Sequence, residues 1–107
     1  MYVLFKPIDV AETYEIGWIF NKNYWRKGYA FEICNKLICH GFESMGIHKI
    51  CAEAVDGVKS VSLMEKLGMV QESIKIKHSK SNDGQWKDLY CYAISVADHF
   101  HSNKEQL

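Results

Sequence analysis

Apolar and polar residues along this 107-residue chain recur with two different periods. Residues 1–6 are apolar and β-prone, and Pro7 with Asp9 ends that run. Tyr14-Glu15-Ile16-Gly17-Trp18-Ile19-Phe20 is rich in aromatic and β-branched residues and predicts a strand, with Gly17 a candidate bulge. Asn21-Lys22-Asn23 is turn material. From Tyr29 to Met45 the period changes. Ala30, Cys34, Leu37, Gly41 and Met45 share one helical stripe, widened by Ile33, Ile38 and Phe42. Gly46 is placed to end that helix. His48 to Val55 reads as a strand, Asp56-Gly57 as a turn, and Val58 to Leu67 as a short helix closed by Gly68. Asp56 or Ser60 is the expected cap of that helix. Ile74 and Ile76 alternate with Ser73, Lys75 and Lys77 in a strand over Val70–His78. Ser81-Asn82-Asp83-Gly84 signals a hairpin, and Trp86 to Val96 returns. The order is β-β-α-β-α-β-β, an α/β chain with a mixed sheet. Residues 1–97 are expected to form a single domain and 98–107 a polar C-terminal tail.

Composition narrows the function classes. Hydrophobic residues at 48% and charged residues at 24% are globular proportions, so disorder is excluded. Thirteen Lys and Arg balance thirteen Asp and Glu, which argues against a nucleic-acid partner. No apolar run approaches the ~20 residues of a membrane span, and Lys6 and Pro7 interrupt the apolar start too early for a signal peptide. The expectation is a cytoplasmic protein with no membrane partner. Cys34, Cys39, Cys51 and Cys91 form no CxxC pair, and Cys39-His40 with His48 lacks zinc spacing. No metal is therefore expected, and the thiols read as small, reduced and mostly buried.

The junction Arg26-Lys27-Gly28-Tyr29-Ala30 carries the candidate chemistry. A loop with two cations and a glycine opens an amphipathic helix. A helix N-terminus presents unpaired N–H groups and partial positive charge, which suits a phosphate or pyrophosphate. Gly28 lets the backbone approach the anion, and Ala30 is small for the same reason. The same pattern also describes an ordinary helix start with solvated cations.

The blocks Glu15-Ile16-Gly17-Trp18, Tyr24-Trp25-Arg26-Lys27-Gly28-Tyr29-Ala30 with Glu32, Ile50 to Glu53, Ser60 to Met69 and Gly84 to Tyr90 occur in one order. Together, over about residues 14–95, they resemble the GNAT N-acetyltransferases, in particular the branch acting on ribosomal-protein N-termini, spermidine and some antibiotics. The resemblance implies a GNAT-like mixed sheet and acetyl-CoA as co-substrate. It implies that amides of Lys27, Gly28, Tyr29 and Ala30, with Arg26, hold the pyrophosphate. It implies that the strand with Trp18, Ile19 and Phe20 holds the pantetheine arm, an amide near Ile19 or Phe20 polarising the thioester carbonyl. Glu15 is the first choice for a base that deprotonates the acceptor amine, with a solvated strand edge as the alternative. Ser60 is carried over as the acid for the leaving thiolate, with helix capping as the alternative. Asp88, Tyr90 and Tyr92 are candidates for the acceptor side or for plain sheet packing.

Some positions depart from the family pattern. Trp25 stands where many relatives have Gln or Arg, Gly57 where many have Asn, and Met64 where many have the acid Tyr. The chain also resembles a domain lacking its N-terminal elements, which form part of the acceptor wall. That implies a homodimer, or a strand-exchanged assembly, covering what is missing. The expected function is acetyl transfer from acetyl-CoA to a primary amine: a protein N-terminus, polyamine or small amine. The alternative is a catalytically weak CoA-binding or assembly module. A nucleotide binder of another class lacks support, since neither GxxxxGK[ST] nor GxGxxG is present.

Overall fold

The computed structural model describes the backbone of residues 2–19, 28–55 and 57–105, and the side chains of all but 2, 19 and 102–105 of these. The expected Asn21–Asn23 turn, the cap candidate Asp56, and Phe20, Trp25, Arg26 and Lys27 lie outside the described residues.

Strands β1 (Tyr2–Pro7) and β2 (Thr13–Ile19) come first, then helix α1 (Tyr29–Ser44) and strand β3 (Lys49–Ala54). Helix α2 (Lys59–Lys66), strands β4 (Val70–Lys80) and β5 (Trp86–Ser95), and helix α3 (Val96–Glu105) follow. The expected α/β order is observed, with one addition. The polar tail expected from residue 98 is wound into α3, which Asp98 N–H begins by donating to Ser95 Oγ at 3.2 Å. Val96 N–H also donates to the carbonyl of His48 at 2.9 Å, tying the start of α3 to the residue just before β3.

The five strands run in the order β1-β2-β3-β5-β4. Only β2 and β3 are parallel, joined through α1. The other neighbours are antiparallel. α1 and α2 pack on one face of this sheet. Ile16, Ile50, Ala52, Tyr92 and Ile94 meet Ala30, Cys34, Ile38, Phe42, Leu63, Met64 and Leu67 in one buried cluster. Residues at even positions of β2, β3 and β5 face the helices, so Glu15, Cys51, Glu53 and Leu89 face the other way.

The helical stripe is rotated from the one read off the sequence. Met45 is 42% exposed, whereas Ile38 and Phe42 are buried with Cys34. Gly46 does close α1 with φ 68°, and Ile47 N–H reaches the carbonyl of Gly41 at 3.2 Å. Gly17 forms no bulge. It sits in an unbroken β1–β2 ladder opposite Leu4. Lys77, at φ 47°, falls within the register shift of β4 between Lys75 and Ser79. The hairpin turn is as expected. Gly84 takes φ 84° and Asp83 Oδ1 accepts from Ser81 Oγ and from Gln85 N–H. Those bonds, the Ser81 hydroxyl first, hold the Asp83 carboxyl below its usual range.

Candidate active site

The site begins where the parallel ladder stops. β2 and β3 pair at Thr13↔Lys49, Tyr14↔Ile50 and Glu15↔Cys51. Past Glu15, β2 continues to Ile19 and β3 to Ala54, yet among the described residues no further β2–β3 pair forms. The two strands part, and edge-facing N–H and C=O groups of each are left toward the gap. A cavity of about 330 Å³ opens there, lined by Trp18, Glu53, Ala54, Val55, Ser60 and Leu89. Trp18 and Ala54 pack toward the helices, while Glu53 and Leu89 belong to the opposite face. The cavity therefore draws its lining from both faces of the sheet.

Gly28 is the N-cap of α1, with φ 74° and ψ 5°. A left-handed backbone favours glycine there, because other residues pay about 1–2 kcal/mol. A Cβ at this position would meet nothing within 4 Å, so backbone conformation and not crowding selects the glycine. As a glycine, this N-cap has no side chain with which to cap the helix itself. Tyr29 is 42% exposed and Ala30 is buried in the core, small enough for α1 to lie close to the sheet. Beside the cap, Gly28, Ala30 and Phe31 of α1 and Lys59 and Lys66 of α2 line a second cavity of about 150 Å³. The Lys66 ammonium lies over the Phe31 ring, 5.2 Å from its centroid.

Ser60 does not cap α2. The N-cap is Val58, without a side-chain cap bond. Ser60 is instead 8% exposed, and its Oγ accepts a long 3.4 Å hydrogen bond from Trp18 Nε1. This joins a residue expected to hold a pantetheine arm to one carried over as an acid. Glu15 is half-buried, the last paired residue of β2, and on the opposite sheet face. Burial, followed by the nearby Glu15 carboxylate, pushes the Cys51 thiol up. Glu15 and Ser60 are thus not brought together; they flank the gap from opposite sides. Met64 is fully buried, so it is a core residue and offers no group to the site. Tyr92 is buried and its hydroxyl donates to Gln71 Oε1 at 3.3 Å, which supports the packing alternative for it. The Asp88 carboxylate accepts from Lys77 N–H at 2.9 Å in the β4–β5 hairpin.

Sequence reasoning missed three residues. Glu53 lines the large cavity, while Lys59 and Lys66 line the smaller one. Glu53 was visible only as the last residue of a matching block. The two lysines resemble any solvated helix cations until α2 is placed against α1.

The model of the acetyltransferase (GNAT) domain family matches residues 2–70. The uncharacterized N-acetyltransferase YnaD of Bacillus subtilis is 37% identical over 94 residues, covering 87% of this chain and 55% of that protein. The putative ribosomal N-acetyltransferase YdaF of the same species is 33% identical over 88 residues, 80% of this chain and 47% of its own. The crystal structure of a GNAT-family acetyltransferase from Bacillus anthracis superposes with a TM-score of 0.78 at 35% identity. It is covered over 57% of its length by 89% of this chain. The chain spans about half the length of the curated relatives it matches. The parted strands, the glycine-capped helix and the family match agree, and the chain belongs to the GNAT acetyltransferase domain family.

Proposed function

We propose that this chain carries the acetyl-CoA site of an N-acetyltransferase that acetylates a primary amine. The observation that carries the reading is the parting of β2 and β3 after Glu15↔Cys51, in a chain whose next helix is capped by Gly28. An extended pantetheine arm has the shape and hydrogen-bonding groups to replace the missing β2–β3 pairs. The pyrophosphate would sit on the amides of Lys27 to Ala30, with Arg26, Lys59 and Lys66 neutralising charge. An amide near Ile19 or Phe20 would polarise the thioester carbonyl. The acceptor would enter from the face of Glu15 and Glu53. Its neutral nitrogen attacks the thioester carbon, the C–S bond breaks, and the thiolate takes a proton. Glu15, directly or through water, accepts the amine proton, and the Ser60 hydroxyl, on the helix side of the sheet, donates a proton to the thiolate and regains one from solvent. Glu53 is a second carboxylate for the base role.

A protein N-terminus, a polyamine or a small amine fits as acceptor. The name of the Bacillus relative YdaF favours a ribosomal protein. Homodimerisation, by which a second chain covers the exposed sheet, belongs to the same proposal, as does one domain over 1–97. No helix of the described residues is long and apolar enough to cross a membrane, and all four cysteines are free thiols. Reduced thiols suit the cytoplasm.

One observation favours a second reading, a CoA-binding module with little catalysis. Met64 is locked in the core, so no phenol serves as acid from that position. Calorimetric titration with acetyl-CoA, repeated on Gly28→Glu, tests the shared premise. Binding lost in the variant supports the site, and absence of binding by the unmodified chain sinks both readings. Turnover with an amine panel then separates them.

A further inference from the structure

Where α3 packs against α1, three different metal-ligating side chains converge. Cys39 and Glu43 stand four residues apart and so share one face of α1. α3 brings His99 across to them. One ligand atom of each lies within 4.8 Å of the other two, and Glu43 Oε2 is 3.7 Å from His99 Nε2. Among the described residues no other His, Cys, Asp and Glu side chains gather in this way. We propose that Cys39, Glu43 and His99 form a zinc site that clips the C-terminal helix to α1.

The donor set is a soft thiolate, a borderline imidazole and a hard carboxylate, all three of which the borderline ion Zn²⁺ accepts. Zinc ligands at ~2.0–2.3 Å in a tetrahedron stand about 3.3–3.8 Å from one another. The 3.7 Å Glu43–His99 separation already meets that spacing. Drawing Cys39 in needs a movement of about 1 Å, within reach of its own χ1 and of the exposed Glu43 side chain. His99 is held for the task. It is 5% exposed, its ring 5.0 Å from that of Phe42 and 5.2 Å from that of Phe100. On binding, the Cys39 thiol proton leaves to solvent. The metal's two positive charges are then balanced by one thiolate and one carboxylate, with water in the fourth position. The sequence reading expected no metal because it weighed Cys39 against His40 and His48. The third ligand comes from a distant helix that the pattern had left as a tail. Cys39 lies roughly 16 Å along α1 from Gly28, so the site is separate from the proposed acetyl-CoA pocket.

The test is titration of the reduced chain with Zn²⁺ in competition with a chromophoric chelator, and with Co²⁺ as a spectroscopic stand-in. One equivalent of Zn²⁺ and a thiolate-to-cobalt charge-transfer band are expected. Removing His99 would disturb the core, so Cys39→Ser and Glu43→Gln carry the test, with circular dichroism as the control for folding. Cys39→Ser should abolish the band and weaken Zn²⁺ by about 100-fold or more, and Glu43→Gln should weaken it by about tenfold or more. Absence of stoichiometric binding, or a band retained in folded Cys39→Ser, would overturn the proposal. Acetyl-CoA binding unaffected by Zn²⁺ distinguishes this site from the proposed cofactor pocket.

Discussion

The Tyr90 hydroxyl occupies the space in which a side chain at position 57 would begin. A Cβ built on Gly57 would stand 2.9 Å from that oxygen and 3.1 Å from the ring carbon bearing it. Gly57 is exposed and its φ is not left-handed, so crowding by Tyr90 accounts for the glycine. The resemblance implied Asn at this position, and in this chain the Tyr90 ring from β5 fills the space a side chain there would need. Gly57→Asn should lower stability by about 1–3 kcal/mol through overpacking. Tyr90→Leu in the same chain should recover part of that loss. Urea denaturation of the two variants and the double variant would show the coupling.

Met64 calls for the opposite expectation from the one a family comparison suggests. Restoring Tyr at this position should not restore an acid. The site is fully buried, so Met64→Tyr adds volume and a hydroxyl to a closed core. A cost of about 1–3 kcal/mol is expected, read as a lower melting temperature, with no gain in acetyl transfer. A faster, equally stable variant would show that the side chain reaches the gap.

The two carboxylates beside the gap separate by kinetics. If Glu15 is the base, Glu15→Gln lowers kcat/KM by about 10²–10⁴ and leaves acetyl-CoA affinity unchanged. Glu53→Gln should then act weakly, since Glu53 also faces Lys75, 3.9 Å away. The reverse ranking would move the base from β2 to β3. Steady-state rates with a reactive amine, alongside calorimetry, decide it.

Cys34 is fully buried in α1, and burial pushes its thiol up to about 11. At pH 8 it should stay unlabelled by iodoacetamide in the native chain while Cys39 reacts. The stability consequence has a definite sign. Above the ordinary thiol value of 9.0 the unfolded chain loses this proton first, so stability should fall between pH 9.0 and about 11. Denaturant midpoints across that range check it, and Cys34→Ala should flatten the slope.

Most of the sheet and both internal helices were legible because local signals and tertiary packing agree. Gly46 and Gly84 ended elements where their neighbours suggested, and both adopt positive φ. The Ile74 and Ile76 alternation gave the strand but not its surroundings. Ile76 is 68% exposed, and sequence alone does not say whether an apolar row has anything to pack against. The last helix was missed because its polar residues gave no apolar stripe. His99 and the His48 carbonyl, which anchor it, lie far from it or from their partners in sequence. The candidate site divided in the same way. Gly28 is a local conformational requirement and could be read. The Trp18–Ser60 bond and the entry of Glu53 into the gap depend on where two strands stop pairing, which no single segment encodes.

The parted strands also determine how the ligand-free chain breathes. Among the described residues, Ile16–Ile19 pair only with Tyr2–Phe5, and β1 is the outermost strand. Beyond Glu15 the sheet therefore narrows to a two-stranded ribbon, held to the body by Val3, Phe5, Ile16 and Trp18 on one face. Isolated two-stranded ribbons are marginal in water. This ribbon should exchange its amide hydrogens as one unit, ahead of the central β3–β5 pair, and a molecule filling the gap would slow that exchange at both of its strands together.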